Sequence, residues 1–174
     1  MSELTQSEYY KLFKQDKVIK DSKRIILPGK QENIRLEAIS TFNKKYTYTL
    51  DIGNAHIALK YKFQERRQGI IFARIEFDGN HKNPEYISDK VPFGVDSKIK
   101  SLMKRYSEEV FIIKDHIHIY VEGYYDKWAF PLHEIIDYDF SNQNERINYK
   151  NKMELFLNYC NIKHKGTIDV PLNI

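Results

Sequence analysis

From Lys23 to Phe77 apolar and polar residues alternate with a period of two. Ile34, Leu36 and Ala38 alternate with Arg35 and Glu37, and Tyr46, Tyr48, Leu50 and Ile52 with Thr47, Thr49 and Asp51. Ile57, Leu59, Tyr61 and Phe63 alternate with Ala58, Lys60 and Lys62, and Ile71, Ala73, Ile75 and Phe77 with Phe72, Arg74 and Glu76. Successive side chains of a strand point to opposite faces, so this pattern predicts antiparallel strands with one buried face. Turns are predicted at Gly53-Asn54, at Arg66 to Gly69 and at Asp78-Gly79-Asn80. Links this short suit a meander of hairpins, because parallel strands need long crossovers.

The flanks have a helical period. Thr5-Gln6-Ser7-Glu8 has the form of a capping box, and Tyr9, Leu12 and Phe13 follow at helical spacing. Residues 80–114 are less regular, with Asn83-Pro84 and Val91-Pro92 marking a loop. Asp96 or Ser97 can cap a short helix through Arg105, with Ile99, Leu102 and Met103 as its apolar stripe. Val110 to Ile113 is apolar, Asp115 to Glu122 alternates again, and Ala129 to Leu132 reads as a short strand. A last helix is predicted from Gln143 to Asn161, with Ile147, Leu155, Phe156, Tyr159 and Cys160 on its apolar face, and Pro171 ends the tail. The expectation is an α+β fold in one domain, residues 1–174. A single antiparallel sheet, a meander of about five to seven strands, would carry the N- and C-terminal helices on its apolar face.

Composition narrows the class. The 174 residues are 41% hydrophobic and 30% charged. Apolar runs such as Ile70-Ile71-Phe72-Ala73 are far shorter than the roughly 20 residues of a spanning helix, so no membrane partner is expected. Met1 to Gln15 is polar and unlike a secretory leader. The lone Cys160 rules out a disulfide framework and a multi-cysteine zinc site, and the expected location is the cytoplasm. The net charge of +4 is a small surplus, and lysine, isoleucine, asparagine and tyrosine are abundant together, as an AT-rich genome would encode. Arg66, Arg67 and Arg74 lie close in sequence, and a guanidinium fork grips phosphate at two points.

Candidate chemistry concentrates between Asp115 and Trp128. Alternation sends Ile117, Ile119 and Val121 inward and sets His116, His118, Tyr120 and Glu122 in a row on the other, water-facing side. Neighbours in such a row stand about 7 Å apart. Lys45, Thr47, Thr49, Lys60, Lys62, Arg74, Glu76 and Asp78 would share that face. Cations beside imidazoles and a phenol suit a phosphodiester: the cations neutralise phosphate and the imidazoles exchange protons. A row of this composition is also what an ordinary wet sheet face looks like. His-x-His is metal-ligand spacing too, with a third ligand to come from His133, His81, Glu122 or Glu134. His81 is a loop candidate for acid–base work, Tyr124 and Tyr125 for lining the site, and Lys127 for holding phosphate. Asp126 reads as a turn residue, Trp128 as core, and His56 and His164 as surface.

His116-Ile117-His118-Ile119-Tyr120-Val121 is similar to the histidine-triad nucleotide hydrolase motif, with Tyr120 in place of the third histidine and no glycine-rich approach. A wider pattern runs from Arg74 through His81-Lys82-Asn83-Pro84, His116 to Tyr124, and Asp126-Lys127-Trp128-Ala129-Phe130-Pro131-Leu132. Over about residues 44–135 it resembles an uncharacterised family of small bacterial and phage-borne proteins, interrupted here by a charged insert from Val95 to Glu109. The layout also distantly resembles small toxin endoribonucleases, which implies a mobile-element setting. The expected activity is metal-independent RNA cleavage, without cofactor or metal. His116 and His118, helped by Tyr120 and His81, would be the acid–base groups, and Lys60, Lys62, Arg74, Tyr124 and Lys127 would bind substrate. The expected partners are RNA or a nucleoprotein complex, and an antitoxin. The alternative is a non-enzymatic inhibitor that binds a host defence (CRISPR-like) nucleoprotein complex.

Overall fold

The computed structural model describes residues 4–20, 24–55, 58–141 and 144–174. In chain order its elements are α1 (Gln6–Lys14), β1 (Lys17–Ile19), β2 (Arg24–Ile26), β3 (Glu32–Ser40), β4 (Thr47–Asn54), β5 (Leu59–Glu65) and β6 (Ile70–Lys82). There follow α2 (Ser97–Arg105), β7 (Val110–Val121), β8 (Tyr125–Pro131), α3 (Leu132–Ile135), α4 (Glu145–Tyr159), β9 (Ile162–Lys163) and β10 (Thr167–Asp169). The class is α+β, as expected, and the sheet is larger than expected. Eight strands pair in the order β8-β7-β6-β5-β4-β3-β1-β9, and β10 pairs with β2 separately. Every pairing in the large sheet is antiparallel except β1 with β9, and β10–β2 is parallel too. The added strands are two or three residues long. They are too short to show a period, and the two parallel pairings, β1–β9 and β10–β2, depend on where the chain returns after α4.

The register sorts the chemistry. One row across five strands reads Leu50, Phe63, Ala73, Ile119, Trp128, and the next reads Ile52, Tyr61, Ile75, Ile117, Phe130. These residues are buried, Trp128 among them as expected. Burying each large apolar side chain stabilises the fold by about 2 kcal/mol. The helices close over this face. Tyr9 of α1 meets Phe72 edge-on at 5.3 Å, and Phe156 of α4 lies 5.6 Å from Tyr61. Leu102 and Met103 of α2 are buried, and Asp96 caps that helix as anticipated. The capping box of α1 forms, with Glu8 N–H donating to Thr5 Oγ1 and the Glu8 carboxylate accepting from Thr5 N–H.

The opposite face carries the polar rows Asp51, Lys62, Arg74, His118, Ala129 and Gly53, Lys60, Glu76, His116, Pro131. Several local expectations shift. The reversal at 66–69 stands, but Gly53-Asn54 belongs to β4, and the chain turns beyond it, where Ala55 N–H donates to Ala58 O. Asp78-Gly79-Asn80 is no turn: β6 runs through it to Lys82, with two register irregularities against β7. A further shift beside Phe63/Gln64 buries Ile70 and Phe72 and leaves Ile71 only half-buried. In α4 the buried residues are Tyr149, Met153, Phe156 and Leu157, with Cys160 just beyond, whereas Ile147 is exposed. The expectations on Lys23, His56, Ile57 and Gln143 lie outside the described residues.

Candidate functional site

His116 and His118 leave β7 on the same side, with ring centroids 5.0 Å apart. That much follows from alternation. The surroundings differ from the expectation, because both histidines are fully buried. The second half of β6 and the start of β7 supply the cover. The ring of His81 lies 4.5 Å from His118 and 6.0 Å from His116, and Phe111 lies 5.2 Å from His116. His81 therefore belongs to strand β6 and joins the histidine pair, whereas the sequence placed it in a loop. Gly79 allows the close approach. A Cβ there would stand 2.6 Å from Glu76 Cβ and 2.9 Å from His116 Cε1.

Side-chain bonds to backbone hold this cover in place. His81 Nε2 donates to Lys127 O at 2.9 Å. Two residues on, the Asn83 amide donates to Ala129 O and Tyr106 O and accepts from Ala129 N–H, each at 2.8 Å. Asn83 thus extends the ladder of β8 with a side chain.

The polar network is dense. His116 Nδ1 donates to Lys114 O and His118 Nδ1 to Asp126 O, both at 2.8 Å. A ring nitrogen facing a carbonyl must carry the proton, so both Nε2 atoms carry lone pairs. Arg74 Nη2 stands 3.1 Å from His118 Nε2, and its Nη1 stands 3.0 Å from Asp126 Oδ2. The Glu76 carboxylate pairs with Lys60 at 2.9 Å and with Arg74 Nε at 3.1 Å. Burial holds the pKa of His118 well below the usual range, and the nearby Arg74 charge adds to the effect. His116 and His81 are lowered as well, by burial first, with backbone carbonyls of Lys114 and Lys127 pulling the other way. Desolvation disfavours the charged imidazolium, so the trio is neutral near pH 7.

Tyr120 leaves the row. The register slips between Ile119 and Val121, and the Tyr120 ring turns to the core, 5.0 Å from Tyr9, with its hydroxyl donating to Leu4 O. Glu122 is drawn to α1, where its carboxylate accepts from Gln6 N–H at 2.7 Å. Tyr124 packs against Trp128 at 6.0 Å, and Tyr125 lies near Tyr120. Neither tyrosine joins the histidines, whereas Lys127 is exposed beside them and lends its carbonyl to His81. Lys62 is in register with Arg74 but pairs with Asp51 at 3.0 Å. Of the proposed third ligands, Glu134 pairs with Arg105 and Tyr106, and His133 is exposed. Arg66 pairs with Glu37, so the three arginines do not act together.

Glu76 is the residue whose role sequence reasoning missed. It was placed on the polar face, yet only the register of β6 against β7 sets it opposite His116. Asp126 does more than shape a turn, since it anchors Arg74 by its carboxylate and His118 by its carbonyl.

No helix among the described residues is long and apolar enough to cross a membrane. The chain belongs to a family of unknown function, DUF6978, whose pattern covers residues 4–162 and so includes every residue of the cluster. No curated protein and no solved structure matches the chain.

Proposed function

We propose that the protein acts on RNA at the polar face of its sheet, as an endoribonuclease of the toxin or phage-conflict type. One observation carries this reading: Arg74, with a side chain 26% exposed, joins solvent to a cluster of three imidazoles. A guanidinium at such a mouth suits a phosphate; Lys60 stands opposite Glu76 on the same face, and Lys127 is exposed next to the carbonyl that holds His81. In the step envisaged, the 2′-oxygen of RNA bonds to the adjacent phosphorus and the bond from phosphorus to the 5′-oxygen breaks. One proton passes from the 2′-hydroxyl to an imidazole and on to the departing 5′-oxygen. The products are a 2′,3′-cyclic phosphate and a 5′-hydroxyl. His81, the half-buried member of the trio, is the imidazole nearest solvent and is assigned that proton. His118 touches it from behind, and Tyr120 takes no part.

Burial of His116 and His118 favours a second reading. A network this enclosed also serves as a rigid support, leaving Lys60, Lys127 and Arg74 to bind a defence nucleoprotein complex without chemistry. The two readings separate on incubation of purified protein with RNA. New cyclic-phosphate ends that vanish in His81→Ala and Arg74→Ala support cleavage. Intact RNA, with a stoichiometric defence complex retained by wild type and by His81→Ala, supports the inhibitor.

A further inference from the structure

We infer that Glu76, His116 and His118 form a binding site for a divalent transition-metal ion of the zinc class. The inference goes beyond RNA cleavage and stands on ligand geometry whether or not RNA is the substrate. One donor atom from each residue, a carboxylate oxygen and two ring nitrogens, lies within 4.8 Å of the others. That separation is closed by small side-chain shifts to the roughly 2.0–2.2 Å bonds that zinc makes with imidazole and carboxylate.

Three further features point to an ion. The first is the tautomer of each ring. Histidine ligands almost always donate their second nitrogen to a carbonyl or carboxylate, which aims the other lone pair. Lys114 O and Asp126 O do this for His116 and His118, both at 2.8 Å. The second is an unsatisfied atom. His116 is 0% exposed, and its Nε2 has no hydrogen-bond partner. A buried lone pair without a donor is unfavourable, and a metal bond would satisfy it. The third is space, since a Cβ on Gly79 would sit 2.7 Å from Glu76 Oε2 and 2.9 Å from His116 Cε1. Glycine leaves that side of the donor set clear.

The donor set selects the class of ion. Two imidazoles and one carboxylate suit zinc or its neighbours, whereas magnesium and calcium prefer all-oxygen sites. Three protein ligands leave a fourth position for water, the pattern of catalytic rather than structural zinc. Arg74 is the competitor. Its Nη2 is 3.1 Å from His118 Nε2 and its Nε is 3.1 Å from Glu76 Oε1, so a guanidinium already occupies the ground a cation would take. Lys60 holds the other carboxylate oxygen at 2.9 Å. Entry of the ion displaces the Arg74 fork toward Asp126, its partner on the outer side. Cleavage at this site would then be metal-assisted, which departs from the metal-independent expectation.

The test uses full-length protein stripped with a chelator and titrated with Co²⁺, whose ligand-field absorption reports nitrogen and oxygen ligation, followed by displacement with Zn²⁺. The expected result is one equivalent bound by wild type. Loss of a direct ligand in His116→Ala weakens it by more than the roughly 10- to 100-fold that outer partners cost. Arg74→Gln removes the competing charge and tightens binding severalfold, although it weakens RNA contact. His133→Ala leaves binding unchanged. Should His116→Ala fail to fold, a rise in the wild-type unfolding midpoint with Zn²⁺ but not Mg²⁺ supports the site. The inference is overturned if wild type shows neither Co²⁺ absorption nor a Zn²⁺-dependent midpoint, or if a folded His116→Ala binds as wild type does. Metal bound without RNA cleavage sinks only the nuclease reading. RNA cleaved by a protein that binds no metal sinks only the ion site.

Discussion

The ring of Tyr120 lies 5.0 Å from that of Tyr9, beneath helix α1 and on the far side of the sheet from His118. Its hydroxyl donates to the buried carbonyl of Leu4. Tyr120→Phe removes one buried hydrogen bond and is expected to cost about 1 kcal/mol of stability, read by urea unfolding. RNA cleavage by Tyr120→Phe is expected to match wild type. A variant that stays folded but loses cleavage would return the phenol to the site.

Gly79 and Gly94 make a matched pair. At Gly79 a Cβ would meet Glu76 Cβ at 2.6 Å, whereas at Gly94 the nearest atom, Gln6 Cβ, is 3.3 Å away. Gly79→Ala is therefore expected to destabilise by about 1–3 kcal/mol, the usual cost of overpacking, and Gly94→Ala by well under about 1 kcal/mol. Equal losses in chemical denaturation would show that the 78–82 segment does not press on the histidines.

Asn83 exchanges two hydrogen bonds with the backbone of Ala129 and donates a third to Tyr106 O. Asn83→Asp keeps the shape but loses both donations, leaving two buried carbonyls without a donor. A loss of about 2–4 kcal/mol is expected from such orphaned groups. Thermal unfolding that leaves Asn83→Asp within about 0.5 kcal/mol of wild type would contradict this role.

Lys17 is fully buried, and its ammonium donates to Phe13 O, Gln15 O and Cys160 O. Burial lowers its pKa to about 8, while Cys160 and Asp16 act to raise it. The Cys160 thiol is itself pushed up by burial, so it offers Lys17 no charge at neutral pH. The unfolded chain, with an ordinary lysine near 10.5, holds more protons than the folded one between about pH 8 and 10.5. Stability on this account rises with pH through that window and is lowest below it. The three carbonyls favour the charged form, so the gain is expected at about 1–3 kcal/mol, toward the low end. Urea unfolding of wild type and Lys17→Met at about pH 7 and 9.5 checks the sign, since only wild type should gain. Parallel profiles would refute it.

The alternation from Ile34 to Phe77 and from Asp115 to Val121 was enough to place strands, to sort Ile117 and Ile119 from His116 and His118, and to set Arg74 among the outer residues. A period of two is a local property, written into neighbouring residues. The capping box at Thr5 and the reversal at 66–69 are local in the same way. The irregularity beside Tyr120 is different, because it lies in how β7 pairs with β8, where two steps of β7 meet three of β8, and it leaves no mark in composition. The burial of the histidines is set by the far half of β6, and the pairing of Glu76 with His116 by a register between strands about 40 residues apart. Alternation assigns a side chain to a face, but only the packed chain determines whether that face meets water. For His116 and His118 it does not, since His81, Phe111 and the space beside Gly79 enclose them.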